Sequence, residues 1–235
     1  GEAGAEKQYM RELTINDLVF IIGPRINAAG RIESARNSVD LLVTNDREQA
    51  YRLGRQINDL NTERKNLDTF TTKQAEEFIL ETPAMKNRRS TVLYNPKWHK
   101  GVIGIVASRL IEIFYKPTIV LTYADGLVTG SARSIKGFDI YDAVDACGDL
   151  LEHFGGHTYA AGLSMKPENF EKFSQRFEEY VQEHLSSELL TPEIDARRSP
   201  RLYGRWLDIG AVESGFAALF GNPDRGETEV DTEAL

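Results

Sequence analysis

Apolar residues recur at steps of three and four between residues 46 and 81, a stretch that contains no proline. Glu, Arg, Lys and Gln fill most of the positions between them, which is the pattern of an amphipathic helix. We therefore predict one long or once-kinked helix. Thr82-Pro83 marks its end because proline interrupts helical hydrogen bonding. A helix of this length often joins two lobes of a protein.

Three shorter features precede the long helix. The apolar run from Leu18 to Ile22 ends at the breaker Gly23-Pro24 and predicts a strand-like or buried stretch. The small and polar residues from Asn27 to Arg31 predict a loop or a tight helix entrance. Residues 38–42 predict a short helix.

After residue 90 the chain alternates between short apolar runs and longer helical patterns. The apolar runs are typical of buried strands, and an Asp125-Gly126 turn joins two of them as a hairpin. The predicted strands are residues 91–94, 118–122, 127–132 and 160–165. The predicted helices are residues 102–114, 140–154 and 168–185. This alternation predicts an α/β fold, with a central mixed β-sheet flanked by helices and preceded by the long connector helix.

Composition narrows the class of protein. No apolar segment reaches the length of about 18 residues that a membrane helix needs. The single cysteine, Cys147, excludes an internal disulfide and fits a reducing compartment, so we expect a cytoplasmic protein without a membrane partner. The net charge of −8 argues against a broadly basic nucleic-acid-coating protein. Residues 85–185 are balanced in charge, so any phosphate-binding surface is expected to be local.

The sequence contains no recognisable hydrolytic centre. Its four histidines form no zinc motif, and there is no Gly-rich nucleotide-binding fingerprint. The acidic residues Asp139, Asp142, Asp145 and Asp149 have helical spacing and could be taken for a metal cluster. We favour the other interpretation, in which Asp139 caps a helix and the others lie on its solvated face. We therefore predict no catalytic residue and no metal ligand in this chain.

Two glycine-containing motifs carry candidate phosphate contacts. Gly155-Gly156 lets backbone amides approach an anion, and His157 can donate a hydrogen bond to a phosphate oxygen. Arg133 offers a bidentate guanidinium between the hydroxyls of Ser131 and Ser134. The alternatives are a simple glycine turn with a surface histidine, and a strand end with an ordinary salt bridge.

Two further segments carry candidates. Trp98 and His99 lie between lysines, just before a predicted helix whose first-turn amides favour anions. Trp98 could stack on a base or pack against the core, and the local sequence leaves both open. Arg25, Asn27 and Arg31 lie in a segment that could be a phosphate-contacting loop or a structured turn.

Taken in order, four motifs resemble the RecJ branch of the DHH phosphoesterase superfamily. The resemblance spans about residues 15–185. Its motifs are GPRINAAGR at residues 23–31, WHKGVIGIVASR at 98–109, GSARS at 130–134 and GGHTYAAG at 155–162. It implies a DHH-associated domain that binds substrate phosphates. Arg133, Ser134 and His157 would grip the backbone, while Asn27 and Arg31 would line the cleft.

The resemblance also implies an activity for the longer enzyme. In that family a DHH domain binds two Mn²⁺ or Mg²⁺ ions through Asp and His residues, including an Asp-His-His triplet. This chain contains no such triplet, so we expect the metal-binding motifs upstream of Gly1 and expect the chain alone to be inactive. The implied reaction is 5′-to-3′ digestion of single-stranded DNA in recombination and repair. Other recombination or repair proteins are further candidate partners.

The resemblance divides the chain into four expected parts. They are a remnant of the DHH catalytic domain at residues 1–44, the connector helix at 45–83, the DHH-associated domain at 84–187, and a tail at 188–235. The family usually continues into an oligonucleotide-binding barrel, but the tail lacks the expected alternation and predicts only a short helix near residues 215–220.

Two alternatives stay open at this point. The chain could be a nucleic-acid-binding module that takes no part in catalysis. It could also belong to a DHH-type phosphodiesterase for short oligoribonucleotides or cyclic dinucleotides. The long connector favours the RecJ branch over the small-substrate enzymes.

Overall fold

The computed structural model describes residues 14–192, and its centre is a five-stranded mixed β-sheet. The strands are β1 (Thr91–Tyr94), β2 (Thr118–Ala124), β3 (Leu127–Arg133), β4 (His153–His157) and β5 (Ala160–Met165). They lie in the order β1-β2-β3-β5-β4, with β1 parallel to β2 and every other neighbouring pair antiparallel. The predicted α/β class with a central mixed sheet is confirmed.

Helices precede and flank this sheet. They are α1 (Ile15–Asp17), α2 (Gly23–Ile32), α3 (Arg36–Val43), α4 (Arg47–Glu81), α5 (Pro83–Asn87), α6 (Ile103–Phe114), α7 (Ile140–Asp145) and α8 (Phe170–His184). Single 3-10 turns lie at Gly148–Leu150, Pro167–Asn169 and Ser187–Leu190. Within residues 14–192, no helix is both long enough and apolar enough to cross a bilayer.

The predicted long helix is confirmed as α4, which runs unbroken for 35 residues. It begins at Asp46, whose side chain accepts hydrogen bonds from the amides of Glu48 and Gln49, and it ends before Pro83. Its first half packs Ile57 and Leu60 against Ala29 of α2, and its second half packs Ala75 and Ile79 into a core with α6 and β1. The helix therefore belongs to two hydrophobic cores at once.

Gly54 lies in the interior of α4, where a Cβ atom would meet nothing within 4 Å. Alanine at this position loses less backbone entropy on folding than glycine does. We expect Gly54→Ala to stabilise the chain by about 0.5–1 kcal/mol, or about 1–4 °C in Tm. Thermal unfolding followed by circular dichroism tests this, and a lower Tm would contradict it.

The two faces of the sheet are covered unequally. One face packs Ile119, Val128 and Ala132 against α7 and α8 to form the main core. The other face is covered over β1 and β2 by α6, which contacts Val120. Side chains alternate between faces along a strand, so the polar half of β3 lies on the side of α6. Helix α6 also lies against β3 at Ser131 and Arg133, and beyond it the second face is open over β5 and β4. We call the polar face shared by β3, β5 and β4 the open face.

The structure corrects three of the predicted elements. Leu18–Ile22 is a turn of π-helix, because a capping box at Thr14 has already started a helix that continues into α2. Residues 27–31 lie inside α2. The predicted helix at 140–154 ends at Asp145, and His153 begins β4, because pairing with β5 overrides the local helical pattern. The predicted helix at 215–220 lies outside the described residues.

Candidate phosphate-binding site

The open face brings the two glycine-containing motifs together. Arg133 of β3 is paired with Ala160 of β5, which is paired with His157 of β4. Directly opposed residues of neighbouring strands point to the same face, so Arg133 and His157 share the open face. Two strand spacings, about 10 Å, separate their backbones. Two residues earlier on β3, on the same face, Ser131 is paired with Gly162 of β5, and Gly162 is paired with Gly155 of β4.

Arg133 is the strongest candidate for an anion contact. Its Nη1 donates to Ser131 Oγ at 2.8 Å and to the carbonyl of Ala132 at 2.7 Å. Burial lowers the pKa of the Arg133 guanidinium, and the positive charge of Arg31 lowers it further. Arg133 forms no ion pair with any carboxylate of residues 14–192. Its half-buried charge therefore lacks the negative partner that such a group normally has.

The start of α6 adds positive potential beside Arg133. A Cβ on Gly104 would lie 2.9 Å from both Arg133 Nη2 and Ser131 Oγ, so only glycine lets the guanidinium lie against this first turn. First-turn amides have no intrahelical partner and favour negative charge nearby. Helix α6 and Arg133 thus face the same small volume.

Helix α2 reaches the same place through Arg31. Its Nη1 donates to the carbonyl of Gly101 at 3.2 Å, and a Cβ on Gly101 would lie 2.1 Å from the Arg31 carbonyl oxygen. The amide of Gly101 donates to His99 Nδ1 at 3.1 Å, which leaves Nε2 as the donor nitrogen of that neutral ring. Residues 70 positions apart in sequence therefore meet beside Arg133.

The turn after β4 fixes the orientation of His157. Its Nδ1 accepts from the amide of Tyr159 at 3.2 Å, so Nε2 is again the nitrogen that can donate. Asp139 caps α7 and accepts from the Thr158 hydroxyl at 2.8 Å. The Thr158 hydrogen bond is the largest cause of the lowered pKa of Asp139, and hydrogen bonds from the amides of Asp142 and Tyr141 lower it further. The Asp139 carboxylate thus holds the turn between β4 and β5 through its hydrogen bond with Thr158.

Four candidates are placed where they support the fold. Of the two positions considered for Trp98, the structure shows the core one: the side chain is 8% exposed, and Nε1 donates to Gln74 Oε1 at 3.1 Å. Ser134 Oγ donates to the Phe138 carbonyl at 2.7 Å. Gly156 packs closely against β5.

The fourth is Arg25. It donates hydrogen bonds to Asn58 Oδ1 at 3.1 Å and to the carbonyl of Ile21 at 2.8 Å. Asn27 is exposed on α2. The candidates that converge are therefore Arg31, His99, Ser131 and Arg133, with Gly155 and His157 across the open face. Gly104, Thr129, Gly162 and Ser164 were missed, although the period-two alternation of β3 and β5 placed the last three on the polar face.

No metal site is present in the described part of the chain. Residues 14–192 contain no group of three or more His, Cys, Asp or Glu side chains that could hold a metal ion. The residues present therefore do not fit a catalytic metal pair. The groups that converge beside Arg133 are hydrogen-bond donors and positive charges, which are suited to an anion.

Residues 87–183 match the family model of the DHHA1 domain, so the sheet and its flanking helices define a DHHA1-type α/β domain. The chain is 39% identical over 193 residues to the single-stranded-DNA-specific exonuclease RecJ of Salmonella typhimurium, covering 78% of this chain and 33% of that protein. RecJ of Bacillus subtilis is 38% identical over 180 residues, covering 75% of this chain and 23% of that protein.

Solved structures agree with these relatives. The crystal structure of RecJ in complex with Mg²⁺ from Thermus thermophilus superposes with a TM-score of 0.64 at 33% identity, covering 71% of this chain and 26% of that one. The chain thus carries a DHHA1 domain at residues 87–183 and is similar to part of RecJ-type proteins. It spans between 23% and 33% of the length of the curated relatives named above.

Proposed function

We propose that the open face binds the sugar–phosphate backbone of single-stranded DNA within a RecJ-type exonuclease that digests DNA from the 5′ end in recombination and repair. The observation that carries this proposal is the half-buried Arg133, which has no carboxylate partner in residues 14–192 and lies beside Arg31 and the first turn of α6. A phosphate supplies the missing negative charge, and the guanidinium matches its geometry.

Each converging residue has a part in this proposal. Arg133 and Ser131 hold a phosphate against the start of α6, and His157 donates through Nε2 from the far side. Gly155 leaves the strand surface open to the backbone of the ligand. Because Trp98 is buried, it is not available to stack on a base, and we assign recognition to contacts with the sugar–phosphate backbone.

The division of labour in the longer protein is part of the proposal. Mn²⁺ or Mg²⁺, the ions carried by solved RecJ structures, would be bound by residues outside this chain and would activate water for phosphodiester hydrolysis. Residues 84–187 would present the strand, residues 45–83 would connect the lobes, residues 1–44 would form the rim of the catalytic domain, and residues 188–235 would form a tail.

Arg133→Ala is expected to weaken binding of 5′-phosphorylated single-stranded DNA at least about tenfold, because a charge-assisted hydrogen bond is worth about 1.5–3 kcal/mol. Fluorescence anisotropy at low salt measures this for the full chain. His157→Ala should weaken binding less, because His157 offers one donor nitrogen, whereas Arg133 offers a bidentate guanidinium. Arg176→Ala is the matched control, since Arg176 is a similarly exposed arginine of α8 that pairs with Asp149.

Three outcomes separate the proposals. Equal losses for Arg133→Ala and Arg176→Ala would show that only net charge matters, and this contradicts the site. Preference for duplex over single strands contradicts the substrate class. Competition by a dinucleotide as effective as by a long strand would favour a phosphodiesterase for short oligoribonucleotides or cyclic dinucleotides.

A further inference from the structure

We propose a second nucleotide subsite on the open face, which holds a phosphodiester farther along the same DNA strand than the one at Arg133. It is a shallow depression of about 470 Å³ at the opposite end of β3, β5 and β4. This inference rests on the proposed function and extends it. The lining residues used below are Thr129, Ser164, His153, Gly155, Gly162 and Lys100.

Ser164 is the first observation that points to a ligand. Its side chain is 9% exposed and lines the depression, yet its hydroxyl makes no hydrogen bond to any residue between 14 and 192. The Oγ atom is not among the buried unpartnered oxygens of residues 14–192, so it is accessible from the depression and available to a ligand there. Polar groups flank it on both sides, because Ser164 is paired with Thr129 on β3 and with His153 on β4.

Residues that are paired across β3, β5 and β4 form three parallel rows on the open face, two of which carry polar side chains at the ends of the strands. Thr129, Ser164 and His153 form the row in the depression. Arg133, Ala160 and His157 form the row of the first site. Four residues of extended strand, about 13 Å, separate the two rows. A fully extended nucleotide repeat is about twice the 3.4 Å rise of a stacked strand, so about two nucleotides span this distance.

Between these rows, Gly162 of β5 and Gly155 of β4 form a floor that no side chain covers. A Cβ built on Gly155 or on Gly162 would meet nothing within 4 Å, so packing within the fold does not require glycine at either position. Glycine weakens a strand, and it is found where a ligand or another backbone approaches closely. An extended DNA backbone lying across these two glycines would connect the rows.

Lys100 provides the cation at the rim of the depression. Its Nζ is 3.0 Å from Asp125 Oδ2, and both side chains are exposed. Such exposed pairs contribute little, so the ammonium can turn to a phosphate without a large cost. The carboxylate of Asp125 repels a phosphate, which places the ligand on the side of Lys100, Ser164 and His153.

The test is a length series of oligothymidylates from two to six nucleotides, titrated against the full chain by competition anisotropy. We expect the unmodified chain to gain affinity once an oligonucleotide spans both rows. Ser164→Ala and His153→Ala should each reduce that gain about three- to tenfold and leave dinucleotide binding unchanged, because each removes one polar contact. His184→Ala, an exposed histidine of α8 stacked on Tyr180, is the matched control.

Gly162→Val provides an independent variant, because it adds bulk in open space and should fill the floor without unfolding the sheet. It should abolish the length-dependent gain at an unchanged Tm. The inference is overturned if the unmodified chain shows no gain with length, or if the variants weaken all lengths equally. If the unmodified chain binds no oligonucleotide of any length, the proposed function itself fails, and the subsite fails with it.

Discussion

Valine in place of Gly156 is expected to destabilise the chain by about 3 kcal/mol or more, whereas valine at the adjacent Gly155 should be tolerated. A Cβ on Gly156 would lie 2.3 Å from the carbonyl oxygen of Ala160 and 2.5 Å from Cα of Ala161. These are backbone atoms of the paired strand, so no side-chain rotation relieves the clash. At Gly155 a Cβ meets nothing within 4 Å, and β-branched residues favour strands.

Thermal unfolding of the two variants measures this difference directly. A loss of about 3 kcal/mol lowers Tm by about 6–12 °C in a chain of this size. Gly155→Val is the control, because it places the same side chain one residue away on the opposite face of β4. Similar Tm values for the two variants would contradict the pairing of β4 with β5. Since His157 ends the same strand, Gly156→Val should also weaken binding of single-stranded DNA.

The same two glycines show a limit of prediction from sequence, because local residue preferences did not identify strand β4. Gly155-Gly156 lies outside every predicted strand, and glycine disfavours strands locally, yet both residues lie in β4. Their conformation comes from pairing with β5, and a local pattern does not report that contact. By contrast, α4 was predictable, since its periodicity, its cap at Asp46 and its stop at Pro83 are all local signals.

For the candidate site, too, the sequence indicated the chemistry of single residues but not the long-range contacts that bring them together. The chemistry of Arg133 and His157 could be read from residue type and flanking glycines, but their meeting on one face depends on strand order. Trp98 could not be assigned locally, because its hydrogen-bond partner Gln74 lies on α4, 24 positions earlier. The contact of Arg31 with Gly101 crosses 70 positions and had no sequence signal.

These long-range contacts make α4 part of the domain that carries the site. Its second half shares a hydrophobic core with α6, and Gln74 fixes the loop that precedes α6 through Trp98. Helix α6 in turn supports Arg133 through Gly104. The position of the candidate phosphate site therefore depends on the packing of α4 against α6. An ion pair between the buried Asp68 of α4 and the half-exposed Arg109 of α6 joins the two helices.

Arg109→Met is expected to destabilise the chain by about 1.5–3 kcal/mol, because it removes a charge-assisted hydrogen bond from the buried carboxylate of Asp68. Asp68 of α4 is 0% exposed, and its Oδ2 lies 2.8 Å from Nη2 of Arg109 on α6. Without Arg109 the buried carboxylate keeps only Arg64, at 3.7 Å, and its Oδ1 already has no hydrogen-bond partner within residues 14–192. Urea unfolding with comparison of midpoints and slopes measures the loss.

A double-mutant cycle separates the ion pair from simple packing. Arg109→Met keeps most of the aliphatic volume, and Asp68→Leu removes the buried carboxylate that the first change leaves unpaired. The double variant should lose less stability than the sum of the two single losses, because both changes break the same contact, while Asp68→Leu also leaves the largely buried Arg64 without its carboxylate. Additive losses would contradict the coupling. Weaker DNA binding in Arg109→Met, restored in the double variant, would show that the junction of α4 and α6 positions Arg133.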